Sequence, residues 1–300
     1  MNKTCKSILI LVTLIILLFL YLFNSNFIID CILQYSYLFI TKVFPASFLF
    51  ITISSILLDF GIIKYIEKII HINSSNIYLF FSSMISGFPS GSIYTKKLLE
   101  DGYIDINMAN KYIMFSHFPN PLFVLGSVNT IINDSYLSFS ILISIIISNF
   151  IIMLFVSKKN IISNNYIIDN NFSKSLLNAI NNSFNSIITI YGISIFFYLI
   201  SCIITKYINL YGYSYIFTNG LFDLTSGVFS TSIISSNIIK CLFIILFICF
   251  GSISIHIQTS SILSNTKIRY KYFFIGRIIS LIITIIIFYM FIVIKKDLYF

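Results

Sequence analysis

Long apolar stretches make up most of this chain, and four clusters of glycine, proline and small polar residues interrupt them. Met84 to Ser92 reads M-I-S-G-F-P-S-G-S, and similar interruptions lie at Ser116 to Ser127, Thr225 to Gly227 and Gly251 to Ser261. Hydrocarbon tolerates a broken helix only where protein or water surrounds the unpaired backbone, so these breaks are where function is expected.

Read in order, Ile8 to Phe23 follows Lys3 and Lys6 and is long enough for a first span. It resembles a signal peptide, but Y-L-F-N-S-N at Tyr21 to Asn26 offers no small-residue cleavage site, so an uncleaved span is expected. In Phe27 to Lys42 the residues Asp30, Gln34, Tyr37 and Thr41 draw one polar stripe along a helix. That stripe either lines a cavity or lies in the membrane interface. Pro45 introduces a span over Ala46 to Phe60, and Ile62 to His71 sets Lys64, Glu67, Lys68 and His71 opposite isoleucines, a second interfacial pattern.

Ile77 to Ile85 is too short to cross alone and runs into Gly87, Pro89 and Gly91. Pro89 lacks a backbone donor and disfavours helix at Phe88, while the glycines permit a sharp change of direction. Two half-helices meeting at an unwound point are expected there, unless it is a proline kink filled by neighbouring helices. Asp105 is placed to cap a helix from about Ile106, which enters a second broken element containing Pro119, Asn120 and Pro121. Leu137 to Val156 is a conventional span ending at Lys158 and Lys159, and Ile180 to Ile204 is another, closed by Lys206. The last span covers roughly Phe273 to Ile294 and stops at Lys295 and Lys296.

The expected fold is an all-α polytopic membrane protein of about 7–9 membrane segments. Some segments are discontinuous or re-entrant, in two loosely repeated halves. The N-terminal half is 1–159 with breaks at 84–92 and 116–127, the linker is the Asn-rich 160–173, and the C-terminal half is 174–300 with breaks at 225–227 and 251–261.

Composition agrees: of 300 residues 58% are hydrophobic and 10% charged, with mean hydropathy +0.96. The net charge of +9 is scattered over segment ends, which suits lipid headgroups and topology and argues against a nucleic-acid partner. Cys5, Cys31, Cys202, Cys241 and Cys249 form no CxxC pair. There is no serine elbow, zinc-spaced His/Glu set, cofactor loop or ATP-binding loop, so neither an enzyme nor an intrinsic pump is expected, and no metal or cofactor.

The candidate substrate-binding residues are those of the breaks. They are Gly87, Ser90, Gly91 and Ser92 in the first, Ser116, His117 and Asn120 in the second, Thr225, Ser226 and Gly227 in the third, and His256 and Gln258 in the fourth. Backbone N–H groups around Ser90 to Ser92 and Thr225 to Gly227 are the expected anion donors. Asp223 and Arg277 are coupling or structural charges. Asp223 either couples to a ligand, ion or proton or caps the helix before Thr225, and Arg277 is either a buried cation or snorkels to the interface.

At these residues the chain resembles the sporulation integral membrane proteins of the YlbJ/SpoVV type, within the nucleoside-recognition or Gate-domain group. The resemblance runs through V-F-P-A-S at Val43 to Ser47, S-G-F-P-S-G-S at Ser86 to Ser92, Ala109 to Phe115 and P-L-F-V-L-G-S-V at Pro121 to Val128. It continues in G-L-F-D-L-T-S-G at Gly220 to Gly227 and F-G-S-I-S-I-H-I-Q at Phe250 to Gln258. Asp223 stands where the family more often carries glutamate, Ser226 where asparagine is frequent, and His117 where relatives tend to carry an amide or another small polar group. The resemblance implies a secondary carrier of a small anionic or nucleoside-like solute, dipicolinate during spore formation, in the outer forespore membrane derived from the mother cell. H+ or Na+ coupling stays open, as do a homo-oligomer, spore-membrane protein partners and a non-transporting scaffold.

Overall fold

A computed structural model describes residues 3–62, 65, 74–156 and 171–297, and the regular elements among them are all helical. α1 (Lys3–Phe23) and α2 (Ser25–Leu38) meet at Asn24, and the stretches Ser7–Phe23 and Ser25–Val43 are bent by 96°. A π-helical segment, Phe39–Val43, leads into α3 (Phe44–Asp59). α4 (Ser74–Ser86), α5 (Ser90–Glu100) and α6 (Ile106–Tyr112) follow, then a second π-helical segment, Phe123–Val128, and the single turn α7 (Asn129–Ile132). The longer elements are α8 (Ser135–Val156) and α9 (Phe172–Ile208), then α10 (Gly212–Phe222) and α11 (Leu224–Ser230), and last α12 (Asn237–Phe250), α13 (Ile253–Leu263) and α14 (Tyr270–Asp297).

Among the described residues four stretches are long and apolar enough to cross a membrane: Ser135–Val156, Phe172–Ile208, Asn237–Leu263 and Tyr270–Lys295. The bent α1–α2 pair makes a fifth if it is one span. The protein is an all-α membrane protein by this measure. At 1.5 Å per residue, the 37 residues of α9 reach about 55 Å, well beyond the roughly 30 Å of hydrocarbon. Its Asn-rich first turns, with Asn178, Asn181, Asn182 and Asn185 exposed, are the part that hydrocarbon need not cover.

Helix ends follow local chemistry. Asp105 Oδ1 accepts from Met108 N at 2.7 Å and starts α6 as expected. Asn171 caps α9 through Lys174 N at 3.1 Å, so α9 begins inside the stretch read as a linker. Asn133 and Asn209, at φ 54° and 51°, close α7 and α9 in the left-handed conformation that asparagine tolerates. Lys158, Lys159, the rest of 157–170, and the Lys64, Glu67, Lys68 and His71 face lie outside the described residues.

Water-driven burial does not hold helices together inside a bilayer, so small side chains and interhelical hydrogen bonds matter more. α8 carries Ser140, Ser144 and Ser148 four residues apart, all buried. α14 answers with Gly276, Ser280 and Thr284 at the same spacing, and Ser148 Oγ donates to the Ser280 carbonyl at 3.0 Å. α8 thus packs on α14, while α3 packs on α9. Elements from the two sequence halves are therefore interleaved, and one buried cluster runs from Tyr78 on α4 to Phe288 on α14.

Three expectations change. The polar stripe of Asp30, Gln34, Tyr37 and Thr41 is exposed and belongs to neither of the two cavities described below; the buried face of α2 is Ile28, Cys31 and Tyr35. The breaks are shorter than the clusters that announced them, and the second starts earlier: Gly87 to Pro89, Ile113 to Asn120, Asp223 alone, and Gly251 to Ser252. Thr225 to Gly227 are helical, because Asp223 occupies the N-cap and α11 starts directly after it.

Candidate functional site

The first two breaks are built against each other. Gly87 turns the chain at φ +76°, and the following Phe88-Pro89 peptide is cis. A Cβ on Gly87 would lie 2.7 Å from Asn120 N, and one on Gly91 would overlap the Ser116 carbonyl oxygen. The two glycines thus let the α4–α5 break sit backbone to backbone on the non-helical Ser116 to Asn120 segment. Ser90 N donates to Gly87 O at 3.0 Å and Ser92 N to Pro89 O at 2.9 Å. Of the expected anion donors at Ser90 to Ser92, the Ser90 and Ser92 N–H groups close their own turn instead.

From behind, α14 and α8 fix the Ser116 to Asn120 segment. Arg277 is 0% exposed and does not snorkel, which corrects that alternative. Its Nη2 donates to Met114 O at 2.8 Å and its Nη1 to His117 O at 3.2 Å, and Asn149 Nδ2 reaches the same His117 carbonyl at 3.1 Å. The guanidinium therefore serves carbonyls freed where α6 unwinds, a structural task. The His117 ring is wedged between Phe88 and Phe273.

In the second half Asp223 is 1% exposed. Its Oδ2 accepts from Ser226 N at 2.9 Å and from Tyr35 Oη at 3.2 Å, and its Oδ1 accepts from Ser254 Oγ at 3.2 Å. Gly227 N donates to Asp223 O at 3.0 Å, so of the expected anion donors at Thr225 to Gly227 the N–H groups of Ser226 and Gly227 serve Asp223 instead. Gly227 has a packing role, since a Cβ there would overlap Gly220 Cα.

These elements enclose two cavities. The inner one, about 40 Å³, is bounded by Phe88 and Asn120 from the first two breaks, Asp223 and Thr225 from the third, and Ser194, with Phe39 and Phe123 among its apolar walls. At roughly 10–15 Å³ each it has room for about three waters. The outer cavity, about 500 Å³, lies between α3, α5, α9 and α13 and has Pro89, Ser90 and Gln258 in its wall. Asn182, Asn185 and Thr189 of α9 line it and are exposed. At its edge Lys97 pairs with Asp59 at 3.2 Å and Lys96 with Glu100 at 3.8 Å. Ile190 belongs to both cavities and stands between them.

Of the sequence-derived candidates, Ser90 and Gln258 face the outer cavity, and Asn120, Asp223 and Thr225 the inner one. Gly87, Gly91, Ser92, Ser116, Ser226, Gly227, His117 and Arg277 support these walls without lining them. His256 is elsewhere: its Nδ1 hydrogen-bonds Tyr270 Oη, and its ring packs among Phe250, Phe273 and Phe274. Sequence reading missed Tyr35, Asn149, Ile190 and Ser194. Tyr35 had a signal, being on the apolar side of α2 opposite the polar stripe; Ile190 is one of many isoleucines of α9 and Ser194 one of its several serines, so neither stands out.

Among the described residues no three His, Cys, Asp or Glu side chains converge as metal ligands. Comparison with family models, curated proteins and solved structures finds no match to this chain.

Proposed function

We propose that the chain is a secondary membrane carrier of a small polar or anionic metabolite, working by alternating access across the wall at Ile190. The observation that carries this reading is the meeting of breaks from both halves of the chain at one buried cavity, one residue away from an open cavity of ligand size. In this reading α4–α5 and α10–α11 are re-entrant elements, which with the crossing helices make up the 7–9 membrane segments. The inner cavity is closed and enlarges when solute passes.

By the family resemblance the solute is dipicolinate, loaded into the developing spore across the outer forespore membrane. A second reading, a neutral nucleoside-like solute, is favoured by one observation: the inner cavity has aromatic walls and a carboxylate, with no Lys or Arg among the described residues that line it. Uptake of dipicolinate into liposomes containing the purified chain, with a nucleoside as competitor, separates the two. Uptake that is lost in Thr225→Val supports the carrier. Failure to move either solute by a well-folded preparation contradicts it and leaves the scaffold.

A further inference from the structure

One wall of the outer cavity is a single face of α9. Asn182, Asn185, Ser186 and Thr189 line the cavity, at the three- and four-residue spacing that puts side chains on one side of a helix. Ser186 Oγ donates to Asn182 O at 2.7 Å and Thr189 Oγ1 to Asn185 O at 2.8 Å. A hydroxyl has one proton, so toward a solute these two can only accept. The side-chain amides of Asn182 and Asn185 are exposed and take part in no hydrogen bond among the described residues. They are the wall's free donors, and each carries an acceptor oxygen beside its N–H groups.

The charges of the lining cancel. Asp59, Lys96, Lys97 and Glu100 border the cavity and pair off as Lys97 with Asp59 and Lys96 with Glu100. Among the described residues the cavity therefore holds no unmatched cation, and an anion that entered would shed water without meeting a free counter-charge. The other walls, from α3, α5 and α13, bring Ile51, Ile93 and Ile262, which suit the apolar body of a solute whose polar edge lies on α9.

A carboxylate offers acceptors alone, whereas a carboxamide offers N–H and C=O side by side, the complement of the asparagine amides. We propose that Asn182 and Asn185 set the specificity of the outer cavity, which admits uncharged solutes with an amide-like edge in preference to the matching carboxylates. The inference rests on the carrier reading and names the substrate class of its outer cavity, on the side of the neutral solute. Asn178 and Asn181 provide the contrast within the same helix. They too are exposed but are not part of the cavity lining, so a face that is merely solvated would make all four asparagines equivalent.

The test uses two probes of one shape, nicotinamide and nicotinate, in equilibrium binding to the purified chain at about pH 7.5, where the carboxylate is ionised. The parent should bind nicotinamide about ten-fold more tightly, the effect of one well-matched hydrogen bond. Asn182→Ala combined with Asn185→Ala should bring the two affinities within about two-fold of each other, while Asn178→Ala combined with Asn181→Ala should leave the preference as it is. Asn185→Lys, which sets an unpaired cation on the same face, should turn the preference toward nicotinate. Melting temperatures equal to the parent's show that the variants are folded, as expected for exposed side chains. Equal affinities in the parent, a parent that prefers nicotinate, no binding of either probe, the same loss in the Asn178 and Asn181 variant, or a preference untouched by Asn185→Lys overturns the proposal. If dipicolinate or nucleoside uptake proceeds while the preference is absent, only the specificity assignment is wrong; if no uptake occurs at all, the carrier reading fails with it.

Discussion

Gly91 and Gly126 look alike in the sequence, each beside a serine in a broken stretch, yet their surroundings differ completely. A Cβ at Gly91 would strike the Ser116 carbonyl, whereas one at Gly126 meets nothing within 4 Å. Gly91→Ala must push two backbone segments apart and is expected to cost about 1–3 kcal/mol, while Gly126→Ala should fall within about 0.5 kcal/mol of the parent. Thermal unfolding of the detergent-solubilised protein checks both, and equal melting temperatures would show that the breaks are not packed together. Arg277 teaches the complementary lesson. A cation near the start of an apolar helix reads as a snorkelling anchor, and nothing local in the sequence announces that Met114 and His117 present it with carbonyls.

At the scale of elements, existence was legible and extent was not. Gly87 and Pro89 announced the first break because neither supports a continuous helix, but the serines around them are as much at home in a helix as in a loop, so the interruption shrank to three residues. Asp223 reads from sequence as charge or cap, and it caps α11, which moves the break off Thr225 to Gly227. The serine ladders of α8 and α14 are plain in the sequence once their four-residue spacing is matched.

The outer ends of these two helices are joined by Lys295 Nζ and Asp134 Oδ2 at 2.7 Å. Burial works to raise the Asp134 carboxyl, but Lys295 and the Leu137 N–H outweigh it and hold it below its ordinary value. A carboxylate depressed in the folded protein contributes stability that is complete above its unfolded value and is lost as pH falls through the folded one. The melting temperature should therefore drop as pH is lowered below about 4, and drop less steeply in Asp134→Asn. An unchanged slope would mean that the pair does not tie the helix ends.

For the whole molecule, composition was enough for an all-α membrane protein, and three of the breaks lead to the inner cavity that serves as the candidate site. The interleaving of the halves was hidden, because α3 against α9 and α8 against α14 are choices among apolar surfaces of nearly equal chemistry. The division into an outer and an inner cavity was equally hidden, since it turns on Ile190, an isoleucine among many. That division is the central claim, and Thr225 in the inner wall reports on it. In a background lacking Cys5, Cys31, Cys202, Cys241 and Cys249, Thr225→Cys should react slowly with a hydrophilic thiol reagent. Adding Ile190→Ala should raise the rate about ten-fold or more, a wall opened by at least about 1.4 kcal/mol. A rate that ignores Ile190, or no reaction in either variant, would contradict a solute path between the two cavities.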